Sequence, residues 1–430
     1  MHEGDAAWIN EAAWPTGADP DAPPRTYLDN AATSWPKPQS VVDMLTHYAV
    51  EIGASPGRGA YHESREAAEL MATCRQRLCR LFNGTSPDHL IFTLNCSDAL
   101  NLALRGLVES ALAADATQPV HVITTWMDHN SILRPLHELE KRGLVRRTLV
   151  ECDSETGLVD PEDIRAAIRP DTLCVATLHG SNVSGTLQPI GEIGRVCRDC
   201  DTLMVVDAAQ SLGHVPVDVQ AMCIDLLAFP GHKGLLGPLG TGGLYIRPGL
   251  EDRLATVREG GTGSVSEVDY QPDFLPDKYE PGSHNALGIA ALSEGVGWLL
   301  NHGIDRIRQH EEALMQQMMT GLGDLASSLD GRFRWYGPRN LDDRCGVYSV
   351  LLRGQSPDGL SHSLEQQHGL LTRPGLHCAP LAHRTFGTHD HGGTTRLSFG
   401  PFLGAGDVSA VLAGLADVCR SCEPVATATG

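Results

Sequence analysis

Between residues 85 and 250, short apolar runs alternate with helix-patterned segments, and this alternation restricts the fold more than any other feature of the chain. The runs are HLIFTL (89–94), VHVITT (120–125), RRTLVEC (146–152), TLCVATL (172–178), TLMVVDA (202–208), DLLAFP (225–230) and GGLYI (242–246). Between them, SDALNLALRGLVESALA, SILRPLHELEKRG, PEDIRAAI and IGEIGRVCRDC carry apolar residues at i, i+3, i+4 spacing. Strands alternating with helices predict an α/β fold, a mostly parallel sheet covered on both faces. Ligands of such sheets gather beyond the carboxyl ends of the strands. From about 283 to 330 the pattern is helical, and a smaller α/β segment with GVYSVLL and TTRLSFG as strands runs to about 420.

The expected division is a mobile arm over 1–25, a large domain over 40–285, a small domain made of 26–39 plus 286–422, and a tail over 423–430. The formal net charge of −20 opposes binding to nucleic acid or to an anionic membrane surface, since both need clustered Lys and Arg. No apolar run reaches the ~18 residues that span a bilayer. The first 25 residues are acidic and Pro-rich without an apolar core, so the chain is expected in the cytoplasm with its twelve cysteines reduced. Cys197 with Cys200 and Cys419 with Cys422 have C-x-x-C spacing, which imitates a four-thiolate zinc site. Both pairs lie in helix-patterned segments without glycine-rich knuckles, so packed thiols are expected and no metal.

Chemistry concentrates at the predicted strand ends. FPGHKGLLGPLGTGG (229–243) sets Lys233 in a glycine-crowded turn. A phosphate-cradling P-loop needs Ser or Thr after its lysine, and Gly234 stands there. A covalent handle for a carbonyl group is the remaining chemistry for such an amine. Asp207 closes TLMVVDA one strand earlier, where a carboxylate can keep a pyridinium nitrogen protonated, and Gln210 follows it. Asn95, Cys96 and Ser97 form a turn before a helix, whose free N–H groups suit a phosphate. His129 in TTWMDHNSILRP lies beyond another strand end and can stack on a flat cofactor. Taken singly, Asp207 and Ser97 also read as helix caps, and His129 as a hydrogen-bonded loop histidine.

YLDNAATSWPKP, ASPGRGAYHES, VDAAQSLGHVPVD, FPGHKGLLGPLGTGGLYI, YEPGSHN and RPGLHCAPLAH occur in this order over nearly the whole chain. The set resembles the class V aminotransferase family of pyridoxal-phosphate enzymes, specifically its cysteine desulfurase and selenocysteine lyase branch. The resemblance implies a fold type I enzyme with a seven-stranded sheet and a smaller C-terminal domain, pyridoxal 5'-phosphate as cofactor, and a homodimer. It implies Lys233 as the Schiff-base lysine, Asp207 as partner of the pyridine nitrogen, and Gln210 as donor to the ring's phenolic oxygen. His129 would stack on the ring and Asn182 would touch ring or substrate. The phosphate would sit on the Cys96–Ser97 turn near His232, with Ser283 arriving from the second subunit. Arg396 would grip the substrate carboxylate, with Arg373 and Arg58 approaching the same pocket.

Cys378 in GLHCAP would take up sulfur, activated by His377 and His383 if these are protonated. The implied activity is conversion of L-cysteine to L-alanine with a persulfide on Cys378, selenocysteine as a further substrate, and a protein as sulfur acceptor. Two departures from the family pattern stand out. Cys96 replaces the first of two hydroxyl residues at the phosphate turn, and Pro230 replaces a Ser before His232–Lys233. The His-rich stretch 383–393 fits no helix face and is expected to be a loop near the site's mouth rather than a metal centre. Another β-lyase, epimerase or aminotransferase of the family, with Cys378 incidental, and a non-catalytic zinc or interaction protein are the alternatives.

Overall fold

The computed structural model describes residues 6–14, 25–57, 59–114 and 119–422. Thirteen strands follow in chain order among these residues. They are β1 Thr26–Tyr27, β2 Leu90–Thr93, β3 Val120–Thr125, β4 Val145–Val150, β5 Thr172–Leu178, β6 Leu203–Asp207, β7 Leu226–Pro230 and β8 Gly242–Ile246. The rest are β9 Phe333–Trp335, β10 Val347–Leu352, β11 Leu370–Leu371, β12 Arg373–Gly375 and β13 Thr394–Ser398.

The large sheet has seven strands in the order β2-β8-β7-β6-β5-β3-β4. Only β8 runs against its neighbours. The other pairings are parallel. All seven expected runs are therefore strands of one sheet. The four strands from β6 to β8 and β2 are buried along their whole length, as sheets covered on both faces require. Period-two alternation sorts the side chains between two cores: Met204, Val206, Leu227 and Phe229 enter one, and Leu203, Val205, Leu226 and Ala228 the other.

The small sheet is antiparallel throughout, in the order β12-β13-β10-β9. It encloses a separate core with Leu314, Met318, Leu322, Leu360 and Leu415 from its helices. β1 pairs in parallel with β11, which fastens the segment from residue 26 to this domain. Helix Ala286–His302 packs Ile289, Leu292 and Val296 into the core beneath the large sheet, while Leu28 and the residues from Leu314 onward pack in the separate core. The run's helical period was legible, but which core it faces was not.

The expected free arm is also partly docked. Residues Ala7–Glu11 form a short 3-10 helix, Trp8 is only 5% exposed, and its indole donates to the Pro401 carbonyl at 3.0 Å. A large aromatic with a satisfied N–H holds this stretch against the body.

Candidate active site

Parallel strands deliver their following residues to one edge, and five of them deliver here. Past β2 come Asn95, Cys96 and Ser97; past β3, His129; past β5, Asn182; β6 ends in Asp207; past β7 comes Lys233. All seven, with Gln210, His232 and Ser131, line a cavity of about 650 Å³.

Burial holds the Lys233 amine below the usual lysine range, against the opposing pull of Asp207. That carboxylate is 3% exposed, and its Oδ1 accepts from the Ala209 N–H at 2.9 Å and the Cys96 thiol at 3.3 Å. Burial, with Asp207 adding, drives the Cys96 thiol well above its usual pKa. Cys96 is thus a neutral thiol turned to Asp207. The missing hydroxyl has a replacement that the motif did not show: Ser131 Oγ lies 2.6 Å from Ser97 Oγ. Both stand beside the first turn of helix Cys96–Ala114, whose amides have no intrahelical acceptors.

His129 caps the helix Asn130–Lys141, and its Nδ1 accepts from the Ser131 N–H at 3.1 Å. Burial lowers its pKa to about 4, so near neutrality the ring is uncharged and carries its proton on Nε2. His232 is likewise lowered to about 4 by burial, and its Nδ1 is buried without a partner among the described residues. The Asn182 side-chain oxygen is orphaned in the same way, while its Nδ2 donates to the His377 carbonyl at 2.6 Å. Gln210 gives one Nε2 proton to the Ala31 carbonyl at 2.9 Å, which leaves the other available.

Four donors converge on the His232 carbonyl. They are the Thr33 hydroxyl (3.0 Å), the Ser34 amide (3.0 Å) and hydroxyl (3.2 Å), and the Lys37 ammonium (3.0 Å). They fix the peptide that precedes Lys233. Lys37 was overlooked as a site residue; its TSWPKP motif was noted, but nothing in the spacing links residue 37 to residue 232. It also bonds Ser34 Oγ at 2.7 Å, and burial lowers its pKa to about 7.

Arg396 is 1% exposed and lies outside the cavity lining. Its Nη2 pairs with Asp29 Oδ1 at 2.5 Å and its Nη1 donates to the Asn182 carbonyl at 3.1 Å. Its Nε is buried without a partner. Arg373 faces it across the β12–β13 ladder, and the charges of both depress the Lys233 amine further. Ser283 is exposed and stands in an adjacent small cleft that shares Leu94 and Gly240 with the main cavity. Arg58 lies outside the described residues.

Cys378 is an exposed thiol held by main-chain bonds. Its carbonyl accepts from the Asn130 N–H at 2.8 Å, and the preceding carbonyl from Asn182. Both His377 (φ 49°) and Cys378 (φ 57°) are left-handed, a conformation that costs side-chain-bearing residues roughly 1–2 kcal/mol each. Burial lowers His377 to about 2 and His383 to about 4, so both are neutral in the working range. Their tautomers follow from the chain of bonds. His377 Nε2 faces the Arg373 carbonyl at 3.0 Å and must donate, so its Nδ1 accepts from His383 Nε2 at 3.3 Å. His383 Nδ1 then accepts from the Thr388 hydroxyl at 2.8 Å. The His-rich loop is therefore a packed support under the Cys378 turn.

The C-x-x-C pairs lie apart, one on helix Ile190–Asp199 and one at the end of helix Ala405–Ser421. Among the described residues, no three His, Cys, Asp or Glu side chains gather as metal ligands, and no helix is long and apolar enough to cross a membrane.

Residues 26–411 match the family model described as aminotransferase class-V. The chain belongs to the class V aminotransferase family. Within that family it is 36% identical over 374 residues to a probable cysteine desulfurase of Methanothermobacter thermautotrophicus, covering 86% of this chain and 89% of the relative. It is 33% identical over 399 residues to one from Pyrococcus abyssi, covering 92% and 94%. The apo structure of a cysteine desulfurase from Thermococcus onnurineus superposes with a TM-score of 0.84 at 31% identity, over 93% of this chain and 95% of that one. The Thermococcus structure thus shares the fold described above.

Proposed function

We propose that this class V family member is a pyridoxal-phosphate-dependent cysteine desulfurase that works as a cytoplasmic homodimer. One observation carries the reading: Cys378, in a chain akin to cysteine desulfurases, is fastened by its own backbone to Asn130 and, through His377, to Asn182 at the rim of the cavity that holds Lys233. The residues fit the cofactor. Orphaned His232 Nδ1, the Ser97 and Ser131 hydroxyls and the first-turn amides suit its phosphate, and the free Asp207 Oδ2 its ring nitrogen. Gln210 would offer its second amide proton to the phenolic oxygen, and His129 would stack on the ring. When bound, the cofactor supplies an electron sink for charge developing at the substrate Cα.

The chain's own groups do the rest. Lys233, whose amine burial holds below the usual lysine range, would be the residue that holds the cofactor and, when free, would take the Cα proton at its Nζ. Arg396 and Arg373 receive the substrate carboxylate, Arg396 sharing its guanidinium with Asp29. Neutral His129 donates at Nε2. The Cys378 thiolate attacks the substrate sulfur; the S–S bond forms as the Cβ–S bond breaks with its electron pair left on carbon. In balance, L-cysteine and the Cys378 thiol become L-alanine and a Cys378 persulfide, which passes to an acceptor protein. Ser283, exposed on its own chain beside the main cavity, would be free to meet the cofactor phosphate of the second copy. All twelve cysteines are free thiols, in keeping with a reducing compartment.

The test is direct. The protein should take up pyridoxal phosphate with a yellow colour, borohydride should fix it on the Lys233 peptide, and L-cysteine should yield equal alanine and sulfide with a reductant. Colour without alanine from cysteine would shift the reading to another amino acid or reaction on the same scaffold.

A further inference from the structure

A second concave site lies on the small domain, away from the large sheet's edge. It is a cavity of about 390 Å³ between the β9–β10 edge and the 387–391 loop. Arg332, Arg334, Arg353 and His391 line it, and none of its lining residues is Asp or Glu. Strand register explains the convergence. β9 pairs antiparallel with β10, Arg334 opposite Leu351 and Phe333 opposite Leu352, and the Arg353 N–H continues the ladder to the Arg332 carbonyl at 2.7 Å. Phe333 and Leu352 face the core, so period-two alternation turns Arg332, Arg334 and Arg353 to one outer face. Arg332 and Arg353 are then cross-strand neighbours of like charge, a destabilising pairing.

None of the three is in an ion pair among the described residues. Arg332 gives one Nη2 bond to the Cys422 carbonyl at 2.6 Å, and Arg334 lies 5.7 Å over the Tyr336 ring. Asp390, the acid nearest in sequence to His391, is fully exposed and paired with His389 at 3.1 Å. In a chain of net charge −20, a hollow that gathers three guanidiniums and an imidazole without a carboxylate is organised against the bulk charge. Guanidinium cannot shed its proton to relieve the repulsion, and its planar fork matches two oxygens of one oxyanion. Gly331 and Gly387, whose Cβ positions are open, leave room for a ligand to approach the backbone.

We propose that this cleft is a binding site for a small, multiply charged oxyanion of the phosphate class, separate from the cofactor's phosphate position. Its occupant neutralises the arginines and ties the β9–β10 edge to the loop that follows Cys378.

The probe is inorganic pyrophosphate, titrated calorimetrically at low ionic strength into full-length protein saturated with pyridoxal phosphate. The wild type should bind about one equivalent. Arg334→Ala/Arg353→Ala, which removes two exposed side chains and spares the Arg332 bond to the last helix, should bind at least tenfold more weakly while keeping its circular dichroism. Arg353→Lys, which keeps the charge and loses the fork, should fall between. No binding by the wild type, or equal binding by wild type and double variant, would overturn the proposal. Should the double variant fold poorly, Arg353→Glu alone carries the same expectation.

Discussion

The cavity at the sheet edge and the cleft on the small domain both gather cations, and they resolve the charge differently. At the cavity, Lys233 stands in the field of Asp207, and buried Arg396 is paired with Asp29. Lys37 has no carboxylate partner among the described residues, and burial lowers it to about 7, so it can release its proton. The cleft arginines have no counter-charge among the described residues and no titratable escape, and stay in contact with solvent. Near the cavity Arg396 is matched by Asp29 and Lys37 is lowered by burial, whereas the cleft arginines stand at the surface, open to an external anion.

The largest effect expected from breaking this pattern is at Lys233. Lys233→Ala removes both the attachment point and the proton acceptor, so alanine formation from cysteine should fall to the uncatalysed level, and borohydride should no longer fix the cofactor. Turnover within tenfold of wild type would remove Lys233 from the chemistry. Next comes Cys378→Ala, which touches no cation. Desulfuration should drop by roughly a thousandfold or more, since a positioned thiolate is replaced by solvent nucleophiles, while cofactor colour and its perturbation by cysteine persist. Unchanged rates would favour the lyase alternative.

Asp29→Asn tests the matched pair itself. It leaves Arg396 as a buried charge without its partner, for which stability losses of roughly 3–5 kcal/mol are usual. Denaturant melts of the apo protein measure this, and a loss under ~1 kcal/mol would show the pair to be dispensable. Acidification should act more gently per residue. His129, His232 and His383 are lowered to about 4 in the folded state. Below about pH 6.5 the unfolded chain binds protons that the folded chain refuses, so stability falls as pH drops from 6.5 toward 4. Fully buried His383 should contribute roughly 1–2 kcal/mol of that loss by pH 5, and His383→Asn should flatten the profile. The smallest effect is at Lys37. Lys37→Met removes one of four donors to the His232 carbonyl, a loss of roughly 1 kcal/mol or less. The more telling readout is the pH dependence of the bound cofactor's absorbance, which should shift if that carbonyl positions Lys233 and stay put if Lys37 serves packing alone.

Much of the site was legible because it is local. A strand ends where its apolar run ends, so Thr93, Asp207 and Pro230 mark the sheet edge without any knowledge of the rest of the chain. What the Cys96 thiol meets was not legible, because its partner, Asp207, lies 111 residues away. The charge state of His377 and His383 was not legible either, because desolvation depends on what covers a ring, and sequence does not carry burial. Strands β9 and β12, three residues each, were missed because such segments are too short to display a period.

The sequence by itself determined the order of strands and helices, the seven runs of the large sheet, and which reactive side chains arrive at its carboxyl edge, since these follow from periodicity over a few neighbouring residues. Tertiary structure alone decided the charge states and the alliances. It set Asp29 against Arg396 across 367 residues, Lys37 against the peptide before Lys233, and the three cleft arginines on one face through the β9–β10 register. Those are properties of contact and desolvation, which exist only once distant segments are brought together.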